Sequence, residues 1–260
     1  MFNAVHAVIL GAVEGITEFL PISSTGHMIL ASDALRILPT EFLKSFEIII
    51  QLGAILAVFL LYWKKLLLNA KIFKRVAIAF IPTAILGLAF YSVVKTHLLG
   101  SASVVLWALG VGGVLLIIFE YFHKEKFSSA TTIAELESLS YPRAFLIGAF
   151  QALAIIPGVS RAAATIVGGL VLGLSRAAIV EFSFMLAVPT MAAATLLDLY
   201  KTGFSFNPDE GVLLSIGFVT AFVFALLAVK FLLRFIKRHT FTPFGVYRII
   251  IALAFFLYVI

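Results

Sequence analysis

Two acidic side chains lie within the first apolar stretch of the chain. Glu14 and Glu18 are four residues apart and would share one face of a helix. A charge at the centre of a bilayer costs about 2.5–3.5 kcal/mol even on the mild insertion scale, so acids inside a membrane are functional by default. Carboxylate oxygens suit Mg²⁺ or Ca²⁺. We expect Glu14 and Glu18 to hold such a cation or to handle protons. The alternative is that water at the membrane interface solvates both.

A run of hydroxyls and a histidine follows directly, in Pro21-Ile-Ser-Ser-Thr-Gly-His27. Ser23, Ser24 and Thr25 can cap a helix that begins here, and the free N–H groups at such a helix start bind phosphate. His27 could lie on the same helical face as Ser23 and Ser24 and act as acid or base. The hydroxyls could also serve only as caps, and a lone histidine is more often a packed polar residue than a catalyst.

A second polar break, Pro157-Gly-Val-Ser-Arg161, lies in the other half of the chain. Ser160 can cap the helix that follows, and the planar fork of Arg161 suits phosphate. The competing interpretation is a structural salt bridge from Arg161 to Glu14 or Glu18. Together, the acids, hydroxyls, histidine and arginine describe a site for a phosphate ester or anhydride with a divalent cation.

The composition identifies the elements that must position these groups as membrane helices. The 260 residues are 62% hydrophobic and 12% charged, with a mean hydropathy of +1.14, which indicates an integral membrane protein. The net charge of +6 comes from bases in short loops, so it reflects membrane orientation and no nucleic-acid partner is expected. The chain has no cysteine, which excludes disulfides and thiolate chemistry.

Apolar windows predict about six transmembrane helices and two shorter hairpins. Each long window approaches the ~20 residues that span a bilayer. The segments around Pro21 and Pro157 are shorter, and we interpret them as re-entrant hairpins of two half-helices; full spans kinked at proline are the alternative. The windows are 45–63, 76–94, 103–122, 178–198, 211–233 and 244–260, and the half-helices are 2–20, 22–35, 143–156 and 159–174.

The two polar breaks belong to an internal repeat. The segment GAVEGITEFLPISSTGH, which begins at Gly11, parallels GAFQALAIIPGVSRAAAT, which begins at Gly148. Glu14 lies opposite Gln151 in this alignment. We therefore predict a single integral membrane domain, 1–260, that contains two repeats. The first is 2–94 with its hairpin near 2–35, and the second is 143–258 with its hairpin near 143–174.

The distribution of basic residues predicts the orientation. Bases without acids crowd the loops after the windows 45–63 and 211–233, which places both loops in the cytoplasm. The two halves are then inverted repeats, and both termini lie outside. The predicted fold is an all-α polytopic membrane protein in which two re-entrant hairpins meet near mid-membrane. Glu47, Gln51, Glu181 and Asp198 are weaker candidates for function.

These motifs resemble those of the undecaprenyl-diphosphatase family, also called bacitracin-resistance proteins. That family has an acid or glutamine four residues before a glutamate, then Pro-x-Ser-Ser-Thr-Gly-His, and later Pro-Gly-x-Ser-Arg-Ser-x-x-Thr. Here Glu14 and Glu18 precede Pro21-Ile-Ser-Ser-Thr-Gly-His27, and Pro157-Gly-Val-Ser-Arg-Ala-Ala-Ala-Thr165 follows. Ala162 replaces the family's usual serine, which removes one hydrogen bond to phosphate.

The resemblance implies hydrolysis of undecaprenyl diphosphate to the monophosphate, at the outer face of a bacterial plasma membrane, with recycling of the lipid carrier for wall synthesis. It also implies a divalent cation, Mg²⁺ or Ca²⁺, beside the lipid substrate and the surrounding membrane lipids. A homodimer is an assembly that the sequence allows. The implied catalytic residues are Ser24, as the nucleophile, with Glu18, His27 and Arg161. The implied cation ligands are Glu14 and Glu18. The residues expected to bind substrate are Ser23, Thr25, Gly26, Ser160, Thr165 and Gln51.

Three other interpretations compete with hydrolysis through a serine. The membrane phosphatidate-phosphatase type carries a nucleophilic histidine six residues after its arginine, where this chain has Val167, although His27 as nucleophile stays open. Inverted repeats with broken helices also describe transporters and lipid flippases. A transporter would need no nucleophile. A membrane scaffold is the third interpretation, against which the clustered charges argue.

Overall fold

The regular structure is helical throughout the part of the chain that the structure describes. The computed structural model covers residues 2–94, 98, 101–123, 131–202 and 206–259, and the side chain of Asp198 lies outside the described residues. The helices are α1 (Ala4–Thr17), α2 (Ser24–Ala34), α3 (Glu41–Leu67), α4 (Ala70–Val93), α5 (Ala102–Phe122), α6 (Thr132–Ser138), α7 (Tyr141–Ala152), α8 (Arg161–Val171), α9 (Arg176–Thr202), α10 (Pro208–Phe235) and α11 (Thr242–Val259), with a 3₁₀ turn at Leu153–Ile155.

The prediction of an all-α polytopic membrane protein is confirmed. Five helices, α3, α4, α5, α9 and α10, are long and apolar enough to cross a membrane. The predicted window 244–260 becomes α11, which falls among the shorter apolar helices. The remaining short apolar helices are α1, α7 and α8. Half-helices therefore flank both Pro21 and Pro157, as the hairpin interpretation requires.

Both hairpins turn at a serine with an unusual backbone. Ser23 has φ 73° and Ser160 has φ 75°, a region that residues other than glycine rarely adopt. Each serine is the N-cap of the second half-helix. The Ser23 hydroxyl accepts the N–H of Gly26 at 3.4 Å, and the Ser160 hydroxyl accepts the N–H of Ala163 at 3.2 Å. The same strained cap at aligned positions gives the two tips a common backbone.

The second half-helices also end alike. After α2, the N–H of Ile37 donates to the Ser32 carbonyl at 2.9 Å, and after α8 the N–H of Leu174 donates to the Gly169 carbonyl at 3.0 Å. This six-to-one bond defines a Schellman ending and needs a left-handed residue just before the donor. Arg36, with φ 54°, and Gly173, with φ 88°, supply it.

Each hairpin packs against the opposite half of the chain. The most extensive helix contact joins α1 to α10, and α7 packs in the same way against α4. Glycines permit the close approach, since a Cβ at Gly11 would lie 2.6 Å from the carbonyl oxygen of Gly217. The halves are therefore interleaved. The domain division at 2–94 and 143–258 and the opposed orientation of the halves stay predictions.

The main core surrounds α9, which is the most buried of the five long helices. A buried ion pair ties α9 to α5, because Arg176 contacts both carboxylate oxygens of Glu120. Glu120 also accepts the N–H of Phe241 at 3.0 Å, just before α11. Ser32 on α2 donates to Glu47 on α3 at 3.3 Å, so Glu47 links the first hairpin to the bundle.

Candidate active site

A cavity of about 630 Å³ opens beside the two hairpin tips, with one polar end and long apolar walls. The polar end is formed by the tips, and α4 and α9 form the walls. The sequence candidates that line it are Glu18, Ser23, Ser24, Thr25, Gln51, Ser160 and Arg161. The wall residues include Phe80, Ala84, Gly87, Leu88, Tyr91, Met191, Ala194 and Leu197.

Glu18 joins the two tips at the polar end. Its Oε2 accepts the hydroxyl hydrogen of Ser24 at 2.5 Å, and its Oε1 lies 3.0 Å from Nη2 of Arg161. Ser24 opens α2 and Arg161 opens α8. All three side chains are almost entirely buried, where an ion pair is stronger than in water. A hydroxyl, a carboxylate positioned to take its proton and a guanidinium thus meet at one point.

The guanidinium of Arg161 is held from several sides. Its Nη1 donates to the carbonyl of Ser183 at 2.9 Å, and its Cζ lies 5.7 Å from the ring centroid of Phe19. Its Nε is buried without a hydrogen-bond partner. The salt bridge that competed with a phosphate role in the sequence is present, to Glu18, and Arg161 also lines the cavity. The position of Arg161 in the cavity lining favours contact with an anion.

Two helix starts face the same cavity. Ser23, Ser24 and Thr25 begin α2 and line the polar end, as do Ser160 and Arg161 at the start of α8. The first N–H groups of a helix have no partner within it, and they carry positive potential. The polar end therefore offers an anion two helix starts as well as a guanidinium.

His27 lies outside the cavity lining and is held elsewhere. Its Nδ1 is 2.8 Å from the carbonyl oxygen of Ser23, and its Nε2 is 2.8 Å from the hydroxyl of Tyr247 on α11. The His27 and Tyr247 rings stack with an interplanar angle of 4°. Because both ring nitrogens are engaged, this arrangement favours Glu18 over His27 as the partner of Ser24.

Glu14 is fully buried one turn before Glu18, and neither of its carboxylate oxygens has a hydrogen-bond partner. A buried carboxylate without a partner is costly, and a hard cation would satisfy it. Within the described residues, no group of three or more His, Cys, Asp or Glu side chains has metal-ligand spacing. The unpartnered oxygens of Glu14, one turn from Glu18, are the observation that a divalent cation would fit, and the cation itself stays a prediction.

The aligned position in the second half is satisfied without a charge. Gln151 donates to the hydroxyls of Thr83 at 2.9 Å and Thr190 at 3.0 Å, and accepts from Thr165 at 3.3 Å. Thr165 also donates to the carbonyl of Arg161 at 2.8 Å, so it supports the tip from behind. The sequence predicts that Thr165 contacts substrate, but Thr165 is not among the residues that line the cavity.

Gly26 has a packing role in this structure. A Cβ there would lie 3.2 Å from side-chain atoms of Val105 and Leu109 on α5. Gln51, by contrast, lines the cavity, and its contact with substrate stays a prediction.

The sequence did not single out several residues that complete the site. Ser183 holds Arg161, Tyr247 holds His27, and Thr83 and Thr190 hold Gln151. Each is a neutral polar residue in an apolar helix, which carries little signal. Arg248, by contrast, does stand out in the sequence, because a charge inside the last apolar window requires a partner.

Comparison with known proteins gives matches over almost the whole chain. The sequence model of the family described as bacitracin resistance protein BacA matches residues 7–254. A protein of Sulfurihydrogenibium sp. (strain YO3AOP1) named undecaprenyl-diphosphatase is 54% identical, over 98% of this chain and 99% of its own length. A protein of the same name from Aquifex aeolicus (strain VF5) is 51% identical, over 97% and 98%. One from Bdellovibrio bacteriovorus is 49% identical, over 95% and 93%.

The Glu18–Arg161 pair generates a prediction about stability. Arg161→Met leaves Glu18 buried without its counter-ion, a change that typically costs about 3–5 kcal/mol. The double variant Glu18→Gln/Arg161→Met removes both charges and should recover most of the loss. The midpoint of thermal unfolding in detergent measures this.

The exposed pair Glu41 and Lys44, 2.6 Å apart, is the matched control. Removing Lys44 alone should change the midpoint little, because exposed pairs contribute about 0–1 kcal/mol. A double variant at Glu18 and Arg161 that is no more stable than Arg161→Met would contradict a buried pair.

Proposed function

The chain belongs to the bacitracin resistance protein BacA family, and we propose that it hydrolyses undecaprenyl diphosphate to undecaprenyl phosphate and inorganic phosphate. The observation that carries this proposal is the contact of Ser24, Glu18 and Arg161 at the polar end of the cavity. Relatives that match the chain over nearly its full length bear the name undecaprenyl-diphosphatase. The enzyme is therefore a phosphoric anhydride hydrolase that acts on a polyprenyl diphosphate.

The shape of the cavity suits the two parts of this substrate. The diphosphate occupies the polar end, where Arg161 and the starts of α2 and α8 face it. The prenyl chain runs between α4 and α9 along their apolar walls. Many side chains of these helices are exposed to the surrounding lipid, so the chain can leave the cavity sideways.

The reaction proceeds in two displacements. The Ser24 hydroxyl attacks the terminal phosphorus while Glu18 takes its proton over the 2.5 Å contact. The anhydride P–O bond breaks, and the lipid monophosphate leaves with the bridging oxygen and the proton that Glu18 had taken. Glu18, ionised again, then deprotonates a water that attacks the phosphoserine. The Ser24 O–P bond breaks, phosphate is released, and Ser24 regains its proton from Glu18. Direct attack by water on the diphosphate is the competing route.

Arg161 and the helix starts stabilise the charge that develops on the phosphoryl oxygens. Glu18 is shared between the nucleophile and the guanidinium, so the same carboxylate sets the distance between Ser24 and Arg161. His27, fixed by Tyr247, supports the backbone of the tip at Ser23.

Glu14 and Glu18 hold the divalent cation in this proposal. The two unpartnered oxygens of Glu14 support the assignment. When bound, the cation neutralises phosphate charge and polarises the phosphoryl oxygens.

The cavity faces the outside of a bacterial plasma membrane in this proposal. It reaches Tyr91 and Leu197, near the ends of α4 and α9, whereas the basic cluster at Lys64 and Lys65 lies at the far end of α3. Positive loops are cytoplasmic, so the opposite end is external, and so are both termini. The homodimer that the sequence allows stays a prediction.

Transport of a phosphate-bearing lipid is not favoured, because the relatives that match over the full length are named for hydrolysis. A lipid path between α4 and α9 would serve either activity, but a transporter has no use for the short Ser24–Glu18 contact.

Loss of the Ser24 hydroxyl tests the covalent route. Ser24→Ala should reduce phosphate release from undecaprenyl diphosphate to background while substrate still binds, because the nucleophile is absent and the anion contacts remain. The measurement is phosphate release by purified protein in detergent. Ser215→Ala, which changes an exposed serine on α10, is the control and should retain full activity. Wild-type rates in Ser24→Ala would exclude Ser24 as the nucleophile.

Replacement of Glu14 tests the cation site. Glu14→Gln should raise the Mg²⁺ or Ca²⁺ concentration for half-maximal activity at least about tenfold, because it removes one of two charged ligands. It should also reduce the rise in unfolding midpoint that the cation causes in wild type. Glu41→Gln, an exposed carboxylate, should change neither property. An unaltered cation dependence in Glu14→Gln would point to a proton-handling role instead.

The apolar wall generates a test of chain-length preference. A Cβ at Gly87 would meet nothing within 4 Å, and Gly87 lines the cavity. Gly87→Leu should lower kcat/KM for the undecaprenyl substrate by about tenfold or more, and affect a short prenyl diphosphate much less, since it obstructs only the path of the long chain. Gly211 has equally open space on α10 but does not line the cavity, so Gly211→Leu is the control. Equal losses on both substrates would contradict this path.

A further inference from the structure

Arg248, in the middle of α11, has no exposed surface and donates only to backbone carbonyls. An arginine has five N–H groups, and each one of Arg248 has an acceptor. Nε donates to Leu109 at 3.3 Å; Nη1 donates to Pro21 at 3.3 Å and Val159 at 3.0 Å; Nη2 donates to Ala108 at 2.9 Å and Gly158 at 2.9 Å.

These carbonyls belong to three separate parts of the fold. Ala108 and Leu109 lie on α5, Pro21 lies in the first hairpin tip, and Gly158 and Val159 lie in the second. One guanidinium therefore binds both tips and anchors them to α5.

The bound carbonyls are next to the reacting groups along the chain. Pro21 precedes Ser24 by three residues, and Val159 precedes Arg161 by two. Arg248 does not line the cavity, so it holds the tips from behind, while the Glu18–Arg161 ion pair holds them on the cavity side.

Arg248 satisfies five backbone carbonyls, but no acidic side chain in the described part of the chain offsets the cost of burying its charge. Among the described residues, no carboxylate lies within salt-bridge distance of Arg248. Burial of a charge without a counter-ion is costly, and an apolar residue of similar volume is often neutral or better for stability. The rigid fork of arginine can, however, fix several carbonyls at defined angles.

A glycine on α5 makes the room for this fork. A Cβ at Gly112 would overlap Nη2 of Arg248 and lie 2.9 Å from its Cζ. Two residues earlier on the same helix, a Cβ at Gly110 would meet only the Cβ of Ala252, at 3.8 Å, which is ordinary contact. Gly110 therefore makes only an ordinary helix contact, whereas Gly112 accommodates the Arg248 side chain.

We propose that Arg248 is a positioning residue for the reaction: it fixes the two hairpin tips relative to each other and thereby sets Ser24 against Arg161. The proposal rests on the proposed hydrolysis and extends it to a residue outside the cavity. A displacement of about 1 Å between reacting groups can cost about 100-fold in rate. Loss of the Arg248 contacts should therefore reduce kcat more than it raises KM, since the anion-binding groups themselves remain.

The first test replaces Arg248 and separates kcat from KM. Arg248→Gln should lower kcat for undecaprenyl diphosphate by about 100-fold with KM within about threefold of wild type. Arg248→Lys keeps the charge but lacks the fork, and should restore less than a tenth of the lost kcat. Full recovery of kcat in the lysine variant would show that Arg248 acts through its charge. That result, or a rise in KM with kcat unchanged in Arg248→Gln, would overturn the proposal.

The second test displaces the guanidinium without altering it. Gly112→Ala should lower kcat, because the new methyl group occupies the place of Nη2, while Gly110→Ala should keep the wild-type kcat. If Gly112→Ala acts through Arg248, the double variant Gly112→Ala/Arg248→Gln should be no slower than Arg248→Gln. Additive losses, or a wild-type kcat in Gly112→Ala, would overturn the proposal.

Two measurements keep these outcomes separate from failure of the fold and of the proposed function. The thermal unfolding midpoint of each variant shows whether the helix bundle is intact, and if Arg248→Gln does not fold, Gly112→Ala and Arg248→Lys carry the test. Wild-type protein must release phosphate from undecaprenyl diphosphate. Absence of that release would refute the proposed hydrolysis, whereas release at the wild-type rate by all the Arg248 and Gly112 variants would refute only the positioning role.

Discussion

Polar groups in the apolar interior of this protein must find partners inside the protein, because lipid offers none. The two broken helices concentrate this requirement at one place. Arg248 satisfies carbonyls of both tips, and Glu18 satisfies both Ser24 and Arg161. Glu14 is the exception among the acids, with two buried oxygens that no protein group satisfies. In the proposed function, the unpartnered carboxylate of Glu14 is the group that a cation would satisfy.

The interleaved packing of the halves is what brings the two tips together. Half-helices too short to span a bilayer cannot hold their own position. Here the first half-helix of each hairpin is supported by a long helix of the other half, α1 by α10 and α7 by α4. Glycines at the contacts bring the backbones close, so the tips are held by extensive helix packing.

The two tips share a backbone but differ in chemistry. Ser23 and Ser160 have nearly the same φ and both cap a half-helix. At the next position, however, the first tip carries Ser24 and the second carries Arg161. In the proposed reaction, this difference gives the common scaffold one nucleophile and one guanidinium, which is what attack on a charged phosphorus requires.

The sequence by itself determined the membrane class, the position of the broken helices and most of the polar lining. Long apolar windows predict helices because a spanning segment must satisfy its own backbone, and proline next to hydroxyls marks a break. The spans and the half-helices around Pro21 and Pro157 therefore have counterparts in the structure. Acids and an arginine stand out in such a chain, so Glu18 and Arg161 could be identified as candidates.

Only the tertiary structure decided which of these groups meet. Local patterns do not encode distances between helices that are far apart in sequence. His27 appeared equivalent to Glu18 as a partner of Ser24, but α11 brings Tyr247 to its ring and engages it elsewhere. Thr165 and Gly26 both match the motif. Thr165, however, supports the second tip by donating to the Arg161 carbonyl, and Gly26 packs against α5. The convergence of five carbonyls on Arg248 likewise exists only once three distant segments are packed together, because hydrogen bonding between them depends on the fold.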